Sequence, residues 1–134
     1  MRHLPTVLFV CVENSCRSQM AEGFARLHGA GKVEAHSAGS KPSGKINATA
    51  IEVMREKKVD LMQQQSKGLD ALPPGKWAAV VTMGCGDACP SLPAERRLDW
   101  ALPDPKRMPL DEFRKVRDDI EARVKALLAE IAGA

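Results

Sequence analysis

The chain has 134 residues, 44% hydrophobic and 28% charged, with a net charge of +3. A chain of that length buries roughly two-thirds of its extended surface, so a single domain over 1–134 is expected to fold without structural metals or disulfides. The mild basicity suits a small anionic ligand and excludes a nucleic-acid partner, because no Lys/Arg run exceeds two residues, and no apolar stretch reaches the roughly 18 residues of a membrane span.

Thr6 to Val12 is a continuous β-branched and apolar run, the pattern of a strand buried on both faces. It is too short for a signal sequence and lacks a small-residue cleavage site, so the cytoplasm is the expected compartment. Cys16 to Leu27 follows as a helix, with Met20, Phe24 and Leu27 on one face and Gly29 and Gly31 ending it. Lys32 to Ser37 reads as a second strand, and Ser37 to Gly44 as a loop by composition. Asn47 can cap a helix carrying Ala50, Ile51, Val53 and Met54 that ends near Lys57 and Lys58.

A polar stretch from Gln63 to Gly75 leads to a third strand over Trp77 to Met83. A short fourth strand is placed near Asp99 to Leu102, before the turn Pro103-Asp104-Pro105. Phe113, Val116, Ile120, Val124, Leu127 and Ile131 recur at spacings of three and four, which predicts a last helix over about 110–131. Strands alternating with helices imply right-handed βαβ crossovers and a parallel sheet, whose ligands bind beyond the carboxyl ends of the strands. Three clusters fall there: Cys11 to Arg17, Met83 to Cys89, and Asp104-Pro105.

Cys11-Val12-Glu13-Asn14-Ser15-Cys16-Arg17-Ser18 has the form Cys-x5-Arg between a strand and a helix. Five intervening residues can curl so that the amides of Val12 to Ser18 face inward at a helix N-terminus, making a cup for a tetrahedral oxyanion. Arg17 can close the cup with a bidentate fork. Cys11 lies at its floor, where positive potential favours the nucleophilic thiolate, and Ser18 can donate to that sulfur. Asn14 suits a left-handed turn within the loop. All four cysteines fall in pairs, Cys11 with Cys16 and Cys85 with Cys89, and in a reducing compartment such cysteines serve catalysis or metals more often than structure. Cys85-x3-Cys89 with no nearby His is a poor zinc pattern, so no metal is expected. His3, His28 and His36 fit no acid–base constellation.

Val10 to Glu22, with Ser37-Ala38-Gly39 and Asp104-Pro105, resembles the low-molecular-weight tyrosine phosphatases and the arsenate reductases built on the same fold. The resemblance covers essentially the whole chain. It implies an α/β three-layer sandwich with a four-stranded parallel sheet of order 2-1-3-4. Phosphatases of this fold usually follow Asp-Pro with aromatic residues that wall a slot for a phenyl ring. Here Lys106-Arg107 follows and the chain has no Tyr, which favours a small inorganic oxyanion.

What the resemblance implies for arsenate is a thiol relay. Cys11 forms an adduct, Cys85 attacks Cys11 as arsenite leaves, and Cys89 resolves the bond into a Cys85–Cys89 disulfide that an external reductant clears. Gly84 and Gly86 would let that segment swing. Asp104 would protonate the leaving oxygen. No bound cofactor is implied, only a reductant such as thioredoxin or a low-molecular-weight thiol, and a monomer is expected. The Cys-x3-Cys spacing is shorter than in the best-known thioredoxin-coupled members. Met83-Gly84-Cys85-Gly86-Asp87 also resembles members that use mycothiol, which tend to lack the second loop cysteine kept here as Cys16. A thiol transferase, a phosphatase and an arsenite- or metal-binding redox sensor are the competing readings. Some relatives hold potassium beside the loop. Asn14, Glu22 and Ser37 match three ligand positions, but Lys67 stands where the acidic partner is expected, so its ammonium is expected to replace the ion.

Overall fold

The computed structural model describes residues 4–73, 75–83 and 92–132. In chain order the elements are β1 (Thr6–Cys11), α1 (Arg17–His28), β2 (Glu34–Gly39), α2 (Ala48–Arg55), β3 (Trp77–Thr82), β4 (Ala94–Asp99) and α3 (Leu110–Ala132). Short 3-10 turns lie at Leu61–Gln63, Leu69–Ala71 and Pro105–Arg107. The four strands form one parallel sheet of order β2-β1-β3-β4, the order that the sequence resemblance implies. The register aligns Cys11 with Gly39, Val10 with Thr82, and Thr82 with Asp99, so the carboxyl ends of the strands share one edge.

β1 is central and its side chains divide by parity, as the pleat requires. Val7, Phe9 and Cys11 enter a core built with Met20 and Phe24 of α1, Val53 and Met54 of α2, and Phe113, Ile120 and Val124 of α3. Leu8 and Val10 point to the opposite face, where Ala38 and Val80 meet them and Leu69 and Leu72 pack alongside. The predicted stripe on α3 is core from Phe113 to Leu127, with Ile131 packed at its edge. The Asn47 cap is also found: its side chain accepts from the Ala50 N–H at 3.0 Å.

Three sequence expectations need correction. β2 runs over Glu34–Gly39, so Ser37 to Gly39, read as the start of a loop, are strand residues paired with Phe9 to Cys11. β4 occupies Ala94–Asp99, upstream of the expected Asp99 to Leu102. It is an edge strand and largely exposed, so Glu95, Arg96 and Arg97 hide it from any hydropathy pattern. Trp100 and Leu102, which suggested a strand, are buried for another reason. The Trp100 ring packs 6.0 Å from that of Phe9, and the chain turns there, with Leu102 N–H bonded to the Trp100 carbonyl. Leu27 is 47% exposed rather than sharing the buried face of Met20 and Phe24. Half-buried His28 covers the end of the helix instead, stacked on Phe24 with ring centroids 6.1 Å apart.

Candidate active site

Cys11 ends β1 at the carboxyl edge of the sheet, and residues 12–16 loop over to the first residue of α1, Arg17. Asn14 adopts φ 52°, the left-handed conformation anticipated for it. Every carbonyl from residue 11 to 16 is engaged. Cys11 O accepts from Ser40 N, Val12 O from Lys41 N, Glu13 O from Ser43 N, Ser15 O from Asn47 N and Cys16 O from Met20 N. Glu13 O also accepts from Ser66 Oγ, and Asn14 O from the Gln19 side-chain amide. Among the described residues no backbone acceptor meets the N–H groups of residues 13–16. The loop is therefore a nest of amides held open by bonds on its other side. α1 has no side-chain cap and no acidic residue in its first turn, so its N-terminal amides remain for a ligand.

Asn14 is the brace. Its Oδ1 accepts from the Lys67 backbone N–H at 2.9 Å and from Gln19 Nε2 at 3.0 Å, which fixes the amide's orientation. Its Nδ2 then donates to Ser18 Oγ at 2.7 Å. Ser18 Oγ is 2.9 Å from Cys11 Sγ, and with Asn14 supplying it a proton, the serine's own proton is free to point at the sulfur. Gln19 is fully buried, donates also to Gln65 O, and accepts from Gln64 Nε2 at 2.7 Å. Gln19 lies within the Val10 to Glu22 motif but the sequence assigns it no role, and for Gln64 and Ser66 the signal is a polar run, Gln63 to Lys67, with no other evident purpose.

Arg17 is 8% exposed, its Nη1 donating to Leu102 O at 3.1 Å and its Nη2 standing 3.9 Å from Asp104 Oδ2. Asp104 caps the 3-10 turn through Oδ1, which accepts from Lys106 N at 3.1 Å. A cavity of about 230 Å³ is lined by Cys11, Val12, Glu13, Ser15, Cys16, Arg17 and Asp104. That is smaller than the roughly 300–1,000 Å³ typical of drug-sized ligand sites. A larger groove of about 330 Å³, beside Gly23 and Leu27, holds none of the loop residues, and chemistry rather than size identifies the site. Burial pushes the Cys16 thiol up to about 12, against a weaker opposing bond from Ser15, so Cys16 stays a neutral thiol at ordinary pH. The other predicted pair, Cys85 and Cys89, lies outside the described residues.

Glu22 is buried at 1% exposure, but it is not isolated. Arg26 Nη2 lies 2.7 Å from its Oε2, Lys67 Nζ 3.8 Å from its Oε1, and Ser37 Oγ donates to it. The Lys67 ammonium thus stands where it was expected. With two cationic groups on Glu22 and Asn14 Oδ1 already accepting two bonds, these residues do not fit a potassium ion.

Gly39 explains how closely β2 approaches the loop. A Cβ there would lie 2.5 Å from Val12 O and 3.0 Å from Asn14 N. Gly39→Ala is expected to push the loop out of shape, lowering stability by about 1–3 kcal/mol and oxyanion affinity with it. Thermal melting with and without phosphate checks this: an unchanged phosphate-induced rise in Tm would contradict it.

The family model for low molecular weight phosphotyrosine protein phosphatase matches residues 6–134. A glutaredoxin arsenate reductase from Synechocystis is 40% identical over 129 residues, covering 94% of this chain and 98% of that protein. A solved structure, an arsenate reductase in the phosphate binding state, superposes with TM-score 0.85 at 40% identity over 96% of this chain and 99% of the other. A thioredoxin-dependent arsenate reductase of Corynebacterium glutamicum superposes at TM-score 0.77 and 32% identity, over 96% of this chain and 62% of that one.

Proposed function

The chain belongs to the low molecular weight phosphotyrosine protein phosphatase family, and on that premise we propose that it is an arsenate reductase, one domain over 1–134 acting in the cytoplasm. The observation that carries the reading is the loop from Cys11 to Arg17, with every carbonyl tied back and its amides left for an oxyanion. The names of its relatives select arsenate among oxyanions.

In the reaction, Arg17 and the loop amides of Val12 to Ser18 hold the arsenate oxygens, and Ser18 steadies the Cys11 thiolate. Cys11 attacks arsenic, one oxygen leaves as water with a proton from Asp104, and a Cys11–arsenate adduct forms. Cys85 then attacks the Cys11 sulfur. The S–As electron pair passes to arsenic, which leaves as arsenite, and a Cys11–Cys85 disulfide remains. Cys89 attacks the Cys85 sulfur, releasing the Cys11 thiolate and leaving a Cys85–Cys89 disulfide. The two electrons are restored by an external dithiol protein of the thioredoxin or glutaredoxin type. No prosthetic group is used.

A single turnover tests this. Reduced protein mixed with arsenate and no added thiol is expected to release one arsenite per chain, with mass spectrometry finding Cys85 joined to Cys89. Cys89→Ser should halt at a Cys11–Cys85 bond. Release of arsenite only after a small thiol is added would replace the relay by thiol transfer, and no arsenite under either condition would sink the reductase reading.

A further inference from the structure

The rim of the site carries an ion pair that the reaction does not use. Lys106 Nζ forks across the carboxylate of Glu13, 3.1 Å from Oε1 and 3.2 Å from Oε2, joining residues 93 apart in sequence. Glu13 lines the cavity, and its backbone is fixed because its carbonyl accepts from Ser43 N and Ser66 Oγ. Lys106 belongs to the 3-10 turn that presents Asp104, and its own amide donates to Asp104 Oδ1. One residue therefore holds both carboxylates, Asp104 through its amide and Glu13 through its ammonium. The Asp104 turn meets the catalytic loop at two ionic contacts, Arg17 with Asp104 and Glu13 with Lys106, and residues of both contacts line the cavity.

We propose that Glu13 and Lys106 form a specificity clasp that restricts the site to compact inorganic oxyanions. The proposal rests on the oxyanion site assigned above and is independent of the thiol relay. Two physical consequences follow. The pair bridges loop and turn beside the cavity, so an ester substituent that leaves the cavity over Glu13 must break it to seat its tetrahedral head. Lys106 also cancels a carboxylate that would otherwise face an incoming dianion. Glu13 and Lys106 are positioning residues, since neither side chain needs to touch the reacting atoms.

Binding measurements test this without any redox step. Reduced protein is titrated calorimetrically with inorganic phosphate and with phenylphosphonate at low and high salt. The double variant E13A/K106A should improve phenylphosphonate affinity relative to phosphate by about fivefold, the size of an exposed ion pair's coupling. K106M, which strands the Glu13 carboxylate, should weaken phosphate binding by about fivefold, with the loss shrinking as salt rises. K106R should restore the wild-type ratio and salt response, which a merely structural role for Lys106 would not require. An unchanged ratio in E13A/K106A, or a K106M loss insensitive to salt, overturns the clasp. A wild-type chain that binds neither ligand overturns the oxyanion site itself, a distinct failure.

Discussion

Arg17→Lys is expected to lower kcat/KM for arsenate by about a hundredfold to a thousandfold, the effect of removing one preorganised oxyanion donor. Lysine keeps the positive charge but not the planar fork that can bond two oxygens at once. Arg17 is nearly buried and already fixed from behind by Leu102 O, so its outward donors are pre-aimed at the cavity. A lysine ammonium would have to choose between that carbonyl and the substrate. The stability effect should be small by comparison, about 1 kcal/mol for the lost bond to Leu102. Steady-state kinetics with a thioredoxin-type reductant, beside a thermal melt, separate the two effects. A variant within threefold of wild type would remove Arg17 from the binding of the oxyanion.

Asn14→Ala should be the most damaging change to the loop itself. It places a Cβ-bearing residue with no side-chain hydrogen bond at φ 52° and removes three bonds at once. Ser18 loses its donor, while Gln19 and the Lys67 amide lose an acceptor. Gln19 keeps the carbonyls of residues 14 and 65 as acceptors, so left-handed strain of about 1 kcal/mol and about 1–3 kcal/mol for the Lys67 amide left without its acceptor together suggest a loss near 3 kcal/mol. For a chain of this size that lowers Tm by about 10 °C. Activity should fall as well, because the Ser18 proton is no longer directed at Cys11. Asn14→Gly tells the terms apart: it should recover the strain but not the hydrogen bonds, and so lie between alanine and wild type. Equal melting of the glycine and alanine variants would mean that backbone strain at Asn14 contributes nothing.

Much of the site was legible from neighbouring residues. The apolar run of β1, the helix after it and the Cys11-to-Arg17 spacing between them lie within one continuous stretch. Local rules of burial and helix termini were enough to put Cys11 and Arg17 at one cavity. The α3 stripe was legible for the same reason, since helical periodicity repeats within a few residues. β4 was not: an edge strand presents charges outward, and its pattern carries no hydropathy signal. Leu27 misled because three-and-four spacing names a face without saying what covers it.

What the sequence by itself determined is the parallel α/β frame and the placement of Cys11, Arg17 and the Asp104-Pro105 turn at one end of it, around one cavity. Only the tertiary structure decided how these parts are held. Gln19 reaches Gln65, Lys67 reaches Glu22, Gly39 presses on Val12, and Lys106 bridges to Glu13. Such pairings join segments tens of residues apart, and they depend on strand register and crossover paths that no local pattern encodes. A side chain's type is written in the sequence, but its partner is set by packing.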